Sequence, residues 1–442
     1  MVLVPSAPAR SGARRQIVFW CLYDWANSAF AAVILSFVFA PYFLERVAAN
    51  PVSGQANWGY AISASAALIA LLSPILGAFA DRSGRRRLWL GACSIVAIVA
   101  TFAMWWVYPG PQSLMLALLL LLVANSAFEL GYVFYNAMLG DVATPESMGR
   151  ISGFGWGAGY FGSLASLGLV YALLFMPDPP LFGLDPAVAE PVRMAAPITA
   201  IWFLVFAIPL IVFGPRERGS AESARDIAAH GLNDLWQTLW SLPRMRSVAW
   251  FLLAHMFFID GVNALFVFGP LVAKGAFGFT DGQMLLLGVT IYVVAGLGAI
   301  TFGWVDDRIG SKRVVTLSIV ALAAISVSIT FIDTLTGFWI AAGCLAVFFG
   351  PIQASSRTLM SRLAPDELRN QLFGLYALAG RATGWLGPLI VGLVTKLTGS
   401  QKAGIAIIAA ELLLGLALLL LVREPSANKG SSPLSQAEAP TR

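Results

Sequence analysis

An eleven-residue loop occurs twice in this chain. Gly77-Ala78-Phe79-Ala80-Asp81-Arg82-Ser83-Gly84-Arg85-Arg86-Arg87 returns, 226 residues later, as Gly303-Trp304-Val305-Asp306-Asp307-Arg308-Ile309-Gly310-Ser311-Lys312-Arg313. The Gly, Asp, Arg, Gly and closing basic positions match one for one, and each copy joins two long apolar runs. An internal repeat constrains architecture more than any single segment does. This one predicts two similar membrane bundles in tandem.

Composition sets the solvent. Of the 442 residues 58% are hydrophobic and only 12% charged, against about 25% charged in soluble domains. The net charge of +5 does not point to nucleic acid, because the bases sit in short turns between apolar segments rather than on one face. Anionic lipid headgroups account for them there. Cys21, Cys93 and Cys344 lie far apart in apolar runs, so neither a disulfide framework nor metal-ligand spacing follows. With His230 and His255 as the only histidines, no metal or other cofactor is expected. The run 17–44 is too long for a signal peptide and reads as a retained first span.

About 20 apolar residues cross a bilayer as a helix. The runs 17–44, 57–79, 88–108, 112–139, 151–176, 196–214, 247–272, 282–304, 314–333, 337–360, 372–397 and 402–422 therefore predict twelve spans. Even parity puts both termini on one side. That side carries 21 of the 28 Lys and Arg residues, so the positive-inside rule makes the termini cytoplasmic. The predicted divisions are an N-terminal tail (1–16), a six-helix bundle (17–214), a cytoplasmic linker (215–246), a second bundle (247–422) and a disordered tail (423–442) rich in Ser, Pro and Ala. In the linker Leu232, Leu235, Trp236, Leu239 and Trp240 recur at helical spacing. They suit an amphipathic helix on the membrane surface, or equally a tether with one sticky face.

The halves echo each other beyond the loops. Asp24-Trp25-Ala26-Asn27 of span 1 corresponds to Asp260-Gly261-Val262-Asn263 of span 7, and Phe37-Val38-Phe39-Ala40-Pro41 to Phe266-Val267-Phe268-Gly269-Pro270. Corresponding spans run in the same direction, which is a parallel repeat about the membrane normal with a cavity between the halves.

The doubled Gly-x-x-x-Asp-Arg-x-Gly-x-(Arg/Lys)-Arg loop resembles the signature loop of the major facilitator superfamily. Tyr23-Asp24-Trp25-Ala26-Asn27-Ser28-Ala29-Phe30, with Phe39-Ala40-Pro41-Tyr42-Phe43 after it, resembles the first span of the superfamily's vacuole-effluxer-like branch. Fungal members of that branch, the autophagy-related vacuolar effluxers, export amino acids. Five Lys against 23 Arg and abundant Ala suggest a bacterial member, hence the inner membrane rather than a vacuole. The resemblance implies that spans 2 and 11, and 5 and 8, meet between the halves. The Gly-Pro motif that drug/proton antiporters of the superfamily place in span 5 is missing; span 5 has Gly153, Gly155, Gly157, Gly159 and Gly162 but no proline.

Charges inside a bilayer are costly and by default mark a pathway or relay. Asp24, Asn27 and Ser28 share one face of span 1. That face can hold an ammonium or exchange a proton, or Asp24 can latch to a neighbouring helix. Asp260 and Asn263 are the equivalents in span 7. Asn125, Glu129, Tyr132 and Asn136 form a polar stripe along span 4, with Glu129 near mid-membrane. The stripe suits proton exchange, or an interhelical hydrogen-bond ladder. Aligning Gly153 with Gly374 sets Tyr160 and Arg381 at the same place in spans 5 and 11. Arg381, too deep to snorkel easily, can grip a substrate carboxylate with two hydrogen bonds or neutralise Glu129 or Asp260. Trp156, Tyr160, Tyr376 and Trp385 are candidate apolar walls. Gln353, Arg357 and Ser361 suit a gate or snorkelling position near the end of span 10, while His255 and Glu411 read as structural.

These residues suggest a monomeric secondary transporter, and not an enzyme, with a small polar solute as substrate. An amino acid or similar zwitterion moved outward fits best, with protons as a candidate coupling ion. A proton-coupled exporter of drugs or lipophilic cations is the first rival, and predicts that Arg381 pairs with an internal acid. A non-transporting receptor or scaffold is the second. In the loops, Gly77, Asp81, Arg82, Gly84 and Arg86, with Gly303, Asp307, Arg308, Gly310 and Lys312, are expected to act as cytoplasmic gates. The two aspartates would pair with neighbouring helix ends when that side is shut.

Overall fold

The structure, a computed structural model, describes residues 10–177, 181–217, 219–220, 224–384 and 386–424. Among them eleven helices are long and apolar enough to cross a membrane. Spans 1 to 6 are Arg14–Val47, Ser53–Ser83, Arg86–Trp106, Pro111–Val142, Met148–Leu174 and Glu190–Phe213. Spans 7 to 10 are Arg246–Phe277, Gly282–Ile309, Ser311–Phe331 and Leu335–Leu363, and span 12 is Gln401–Leu420. Span 11 completes the twelve as two shorter helices, Arg369–Ala382 and Leu386–Thr398, separated at Thr383–Gly384. Its first helix falls short on hydropathy because it buries Arg369, Asn370 and Gln371.

The short connections stop and start helices by ordinary local chemistry. The Asn50 side chain accepts from Ser53 N–H at 2.9 Å and Pro51 opens span 2. Thr280 and Gln283 form a reciprocal capping box at the start of span 8. Gly84 ends span 2 at φ 61°, a left-handed conformation that a side chain would disfavour. With lipid as the solvent, apolar residues also face outward: Leu71, Val99, Val205 and Phe331 are exposed. The buried core divides into two clusters, one per half. Val133, Ala137 and Tyr160 of the first half belong to the second half's cluster.

Spans 1 and 7 do not share a shape despite their matched sequences. Span 1 widens into π-helical turns over Phe30–Phe37 and bends at Val38, whereas span 7 is one helix from Arg246 to Phe277.

Glycines set how closely the halves meet. In span 5, Gly153 and Gly157 face span 8, against Ala299, Ile300 and Gly296, while Gly155, Gly159 and Gly162 face span 1. The two interleaved glycine rows thus serve two different neighbours. Gly77 of span 2 lies against the Asn370 backbone, and Gly374 of span 11 against that of Ser73 and Pro74. Together these contacts shut the end of the molecule that carries the repeated loops. A Cβ at Gly153 would run into the Ala299 carbonyl oxygen. Gly153→Ala is therefore expected to hold the loop end partly open. Thiol labelling of a cysteine introduced on the Gly77 face of span 2 should then rise at least several-fold; unchanged labelling would show that the contact is dispensable.

The segment between the halves forms a helix, Ala224–Ser241. Gly231 packs on Phe79, Asp234 pairs with Arg82 at 2.7 Å, and Thr238 donates to Gln371 Oε1 at 2.8 Å. Leu235 is buried, while Trp236 and Trp240 are exposed. The Leu232 side chain, Trp385 and the tail 425–442 lie outside the described residues. Glu424, expected in a disordered tail, is instead fixed: it accepts from Ser311 and Lys312 N–H at 3.0 and 3.1 Å and from Arg362 Nη1 at 3.0 Å.

Candidate functional site

Two ion pairs join the halves inside the membrane. Arg357 of span 10 donates from Nη1 to Asp24 Oδ2 of span 1 at 3.0 Å. Both side chains are almost wholly enclosed, at 2% and 3% exposure. The remaining capacity of each is satisfied. Tyr132 and Tyr135 hydroxyls donate to Asp24 at 3.0 and 2.8 Å. Arg357 also donates to Ser152 Oγ and carbonyl oxygen at 3.0 and 2.7 Å, and to Asn136 Oδ1 at 3.3 Å. Its guanidinium lies over the Trp20 ring, 4.6 Å from the centroid. Gly155 makes room: a Cβ there would sit 2.8 Å from Asp24 Oδ2 and 2.9 Å from Arg357 Nη2.

Nearer mid-membrane, Arg381 Nη2 of span 11 meets Glu129 Oε2 of span 4 at 2.6 Å. This pair is open where the first is sealed, with side-chain exposures of 25% and 36%. It presents a guanidinium and a carboxylate side by side at the junction of the halves. Farther from the loop end, Ser36, Phe37, Phe266, Tyr292 and Phe349 help line an apolar cavity of about 220 Å³.

The span 4 stripe therefore divides by depth. Asn125 donates to Ser65 Oγ at 2.8 Å within the first half, Glu129 meets Arg381, and Tyr132 and Asn136 serve the Asp24–Arg357 centre. Tyr160 accepts from Gln353 Nε2 at 3.1 Å and packs edge-on against Tyr292. Trp156 lies beside Arg357, and Tyr376 stacks on His255 at 4.0 Å. Asn27 keeps a buried Oδ1 with no hydrogen bond, and Asn263 is exposed. Asp260 is buried away from both pairs and accepts from Gly387 N–H at 3.0 Å.

At the loop end the repeated aspartates cap helices of the opposite half. Asp81 accepts from Asn370 N–H at 3.1 Å and Gln371 N–H at 2.8 Å, at the start of span 11. Asp307 accepts from Gly149 N–H at 2.8 Å, at the start of span 5. A carboxylate there meets free N–H donors and the positive end of the helix dipole. The basic positions hold the surroundings. Arg82 pairs with Asp234; Arg86 reaches Asp141 at 2.7 Å and Asp81 at 3.6 Å; Lys312 donates to the Val422 carbonyl at 2.6 Å. Arg308 is exposed. Gly84 and Gly310, at φ 61° and 93°, make the turns, whereas Gly77 and Gly303 permit close contact between halves.

Sequence reading did not find Asp141, Arg362 and Arg369 in this network. Arg362 reaches Asp306 at 3.2 Å and Asp307 at 3.9 Å, and Arg369 reaches Asp141 at 3.4 Å and also pairs with Asp366. Their one available signal was position, each being charged and next to a span end. Asp81→Asn keeps the shape but removes the charge from its hydrogen bonds, each worth about 1.5–3 kcal/mol when ionic. Cysteines placed at the loop end should become roughly tenfold or more accessible to a membrane-impermeant thiol reagent; accessibility equal to the parent's would refute a latch.

The fold and this arrangement define a class, the membrane transporters of the major facilitator type. An outward-conformation structure of the transporter FucP superposes with a TM-score of 0.71 at 15% identity, covering 93% of this chain and 99% of that one. The human organic anion transporter MFSD10 gives 0.71 at 16%, covering 92% and 99%. The family described as "Vacuole effluxer Atg22 like" matches residues 52–149 and 143–431, and the chain belongs to that family. The uncharacterized MFS-type transporter YxiO of Bacillus subtilis is 30% identical over 92% of this chain and 94% of its own length. Autophagy-related protein 22 of Cryptococcus neoformans is 22% identical over 61% of this chain, and the match spans about half (52%) of that longer protein. The multidrug efflux pump Tap of Mycobacterium bovis is 24% identical over 84% of this chain and 85% of its own length. The protein is thus a multi-pass membrane transporter.

Proposed function

We propose that this transporter moves a small zwitterion, with an amino acid as the best candidate, by alternating access between its two halves. The Glu129–Arg381 pair carries this reading. It lies near the middle of span 4, bridges the halves and is partly open. A zwitterion can replace it without leaving an unpaired charge, ammonium on Glu129 and carboxylate on Arg381. Loading then removes an internal tie between the halves, which gives the substrate the differential contact needed to shift the conformational balance. With the termini cytoplasmic, the shut loop end is the inner gate and the form described faces outward. The inner membrane and outward movement of solute agree with the bacterial and effluxer-like relatives.

One observation favours a second reading. Arg381 is already neutralised by an internal acid, as expected of a proton-coupled exporter of lipophilic cations, and Tap is named a multidrug efflux pump. Flux of a labelled amino-acid panel and of lipophilic cations into proteoliposomes, with and without a pH gradient, separates the two. Saturable amino-acid flux supports the first. Flux of cations alone overturns it.

A further inference from the structure

A second acidic centre lies wholly within the C-terminal half. Asp260 of span 7 and Glu411 of span 12 are 2% and 5% exposed. They converge on Gly387, the second residue of the second helix of span 11. A Cβ at Gly387 would stand 3.4 Å from Asp260 Oδ1 and 3.3 Å from Glu411 Oε2. Asp260 Oδ2 accepts the Gly387 N–H at 3.0 Å. Neither oxygen of Glu411 has a hydrogen-bond partner. Close contact of spans 7 and 12 brings the acids together: Gly261 lies against Leu412 and Ile408, and Gly415 against Phe258.

No basic side chain is paired with either acid among the described residues. On span 11, Arg381 is engaged by Glu129 and Tyr376 is stacked on His255 of span 7. Arg357 of span 10, which also packs on span 7, is engaged by Asp24. Span 9, beside span 12, carries its bases Lys312 and Arg313 only at the loop end, where Lys312 is held by the Leu420 and Val422 carbonyls. Two carboxylates sharing a site of low dielectric with no cation cannot both stay ionised. One hydrogen bond and the start of a helix offset only part of a single charge. No cluster of three or more His, Cys, Asp or Glu suited to a metal occurs among the described residues, and two carboxylates alone are too few oxygens for a hard cation.

We infer that Asp260 and Glu411 form a proton-binding site: the two share one proton, taken from water onto either carboxylate, which relieves its repulsion with the other. The site is separate from Glu129–Arg381 but touches the second helix of span 11, whose first helix carries Arg381. Losing the proton leaves two like charges against Gly387 and strains the break at Thr383–Gly384. The proton therefore biases how Arg381 is presented. That last use rests on the transport reading above; the proton site itself does not.

Difference infrared spectroscopy of the purified, lipid-reconstituted protein tests the site without needing flux. The wild type should show a protonated-carboxyl C=O band that shifts in heavy water and disappears as pH is raised. Glu411→Gln and Asp260→Asn should each shift it, and the two substitutions together should remove it. Gly387→Ala, which places a methyl group against both acids and keeps them, should shift its pH midpoint. Glu129→Gln should leave the band in place. Monodisperse elution of each variant establishes folding, and any one folded variant suffices. A band that survives both acid substitutions, or that is absent from the wild type at every pH, overturns the site. Loss of the band on adding sodium at constant pH also overturns it, in favour of a cation.

Discussion

Arg357→Ala is expected to be the most damaging single substitution in the membrane core. It leaves Asp24 enclosed at 2% exposure, with two tyrosine hydroxyls for company and no cation. Removing one partner of a buried ion pair costs about 3–5 kcal/mol, because the other charge stays behind uncompensated. Removing both is far milder, so Asp24→Asn combined with Arg357→Gln should recover a good part of the loss. Thermal unfolding in detergent, followed by tryptophan fluorescence, measures both effects. The pair also joins span 1 to span 10 across the halves, and here it is formed with the loop end shut. The single variant should therefore raise labelling of loop-end cysteines as well as lower stability. A loss under about 1 kcal/mol, or a double variant no better than the single, would show that the pair is not the tie inferred.

Arg381→Lys is expected to have the largest effect on substrate affinity. Lysine keeps the charge but loses the planar fork that engages a carboxylate with two hydrogen bonds. One hydrogen bond to a charged group is worth about 2 kcal/mol, so KM for an amino acid should rise about thirtyfold. The same substrate as its methyl ester, which has no carboxylate, should show little change. That contrast distinguishes a lost contact from a general loss of function. Equal KM for the free acid in both proteins would remove Arg381 from substrate binding and leave it as the counter-ion of Glu129. Glu129→Gln is the matching test on the other side: affinity should fall for substrates with a free amine and much less for their N-acetyl forms.

The span count could be read without coordinates because each span needs a run of apolar residues, whatever its neighbours do. Even span 11, broken at Thr383–Gly384, occupies the expected run. The repeated loops were legible for the same reason. Asp81 and Asp307 were expected to meet helix ends, and Asn370, Gln371 and Gly149 supply them. Partners were harder to see. Arg357 read as a gate or a snorkelling residue near a helix end, and the sequence did not show that it is 2% exposed and bound to a residue 333 positions away. Glu411 looked peripheral on span 12, yet it stands beside Asp260. Helical periodicity tells which side chains share a face of one helix, but not which face of another helix lies opposite.

The sequence by itself determined the solvent, the twelve crossings, the duplication and which charges had to be accounted for within the membrane. All of these follow from local cost: a charge or an unpaired backbone group in lipid is expensive wherever the chain goes next. Only the tertiary structure decided how six buried or half-buried charges divide among three centres. Arg357 was assigned to Asp24, Arg381 to Glu129, and Asp260 with Glu411 was left without a cation. His255 stands apart, stacked on Tyr376. The physical reason is that an ion pair depends on distances of about 3 Å between helices, and those distances are set by how glycine contacts and a helix break let helices from distant parts of the chain approach one another.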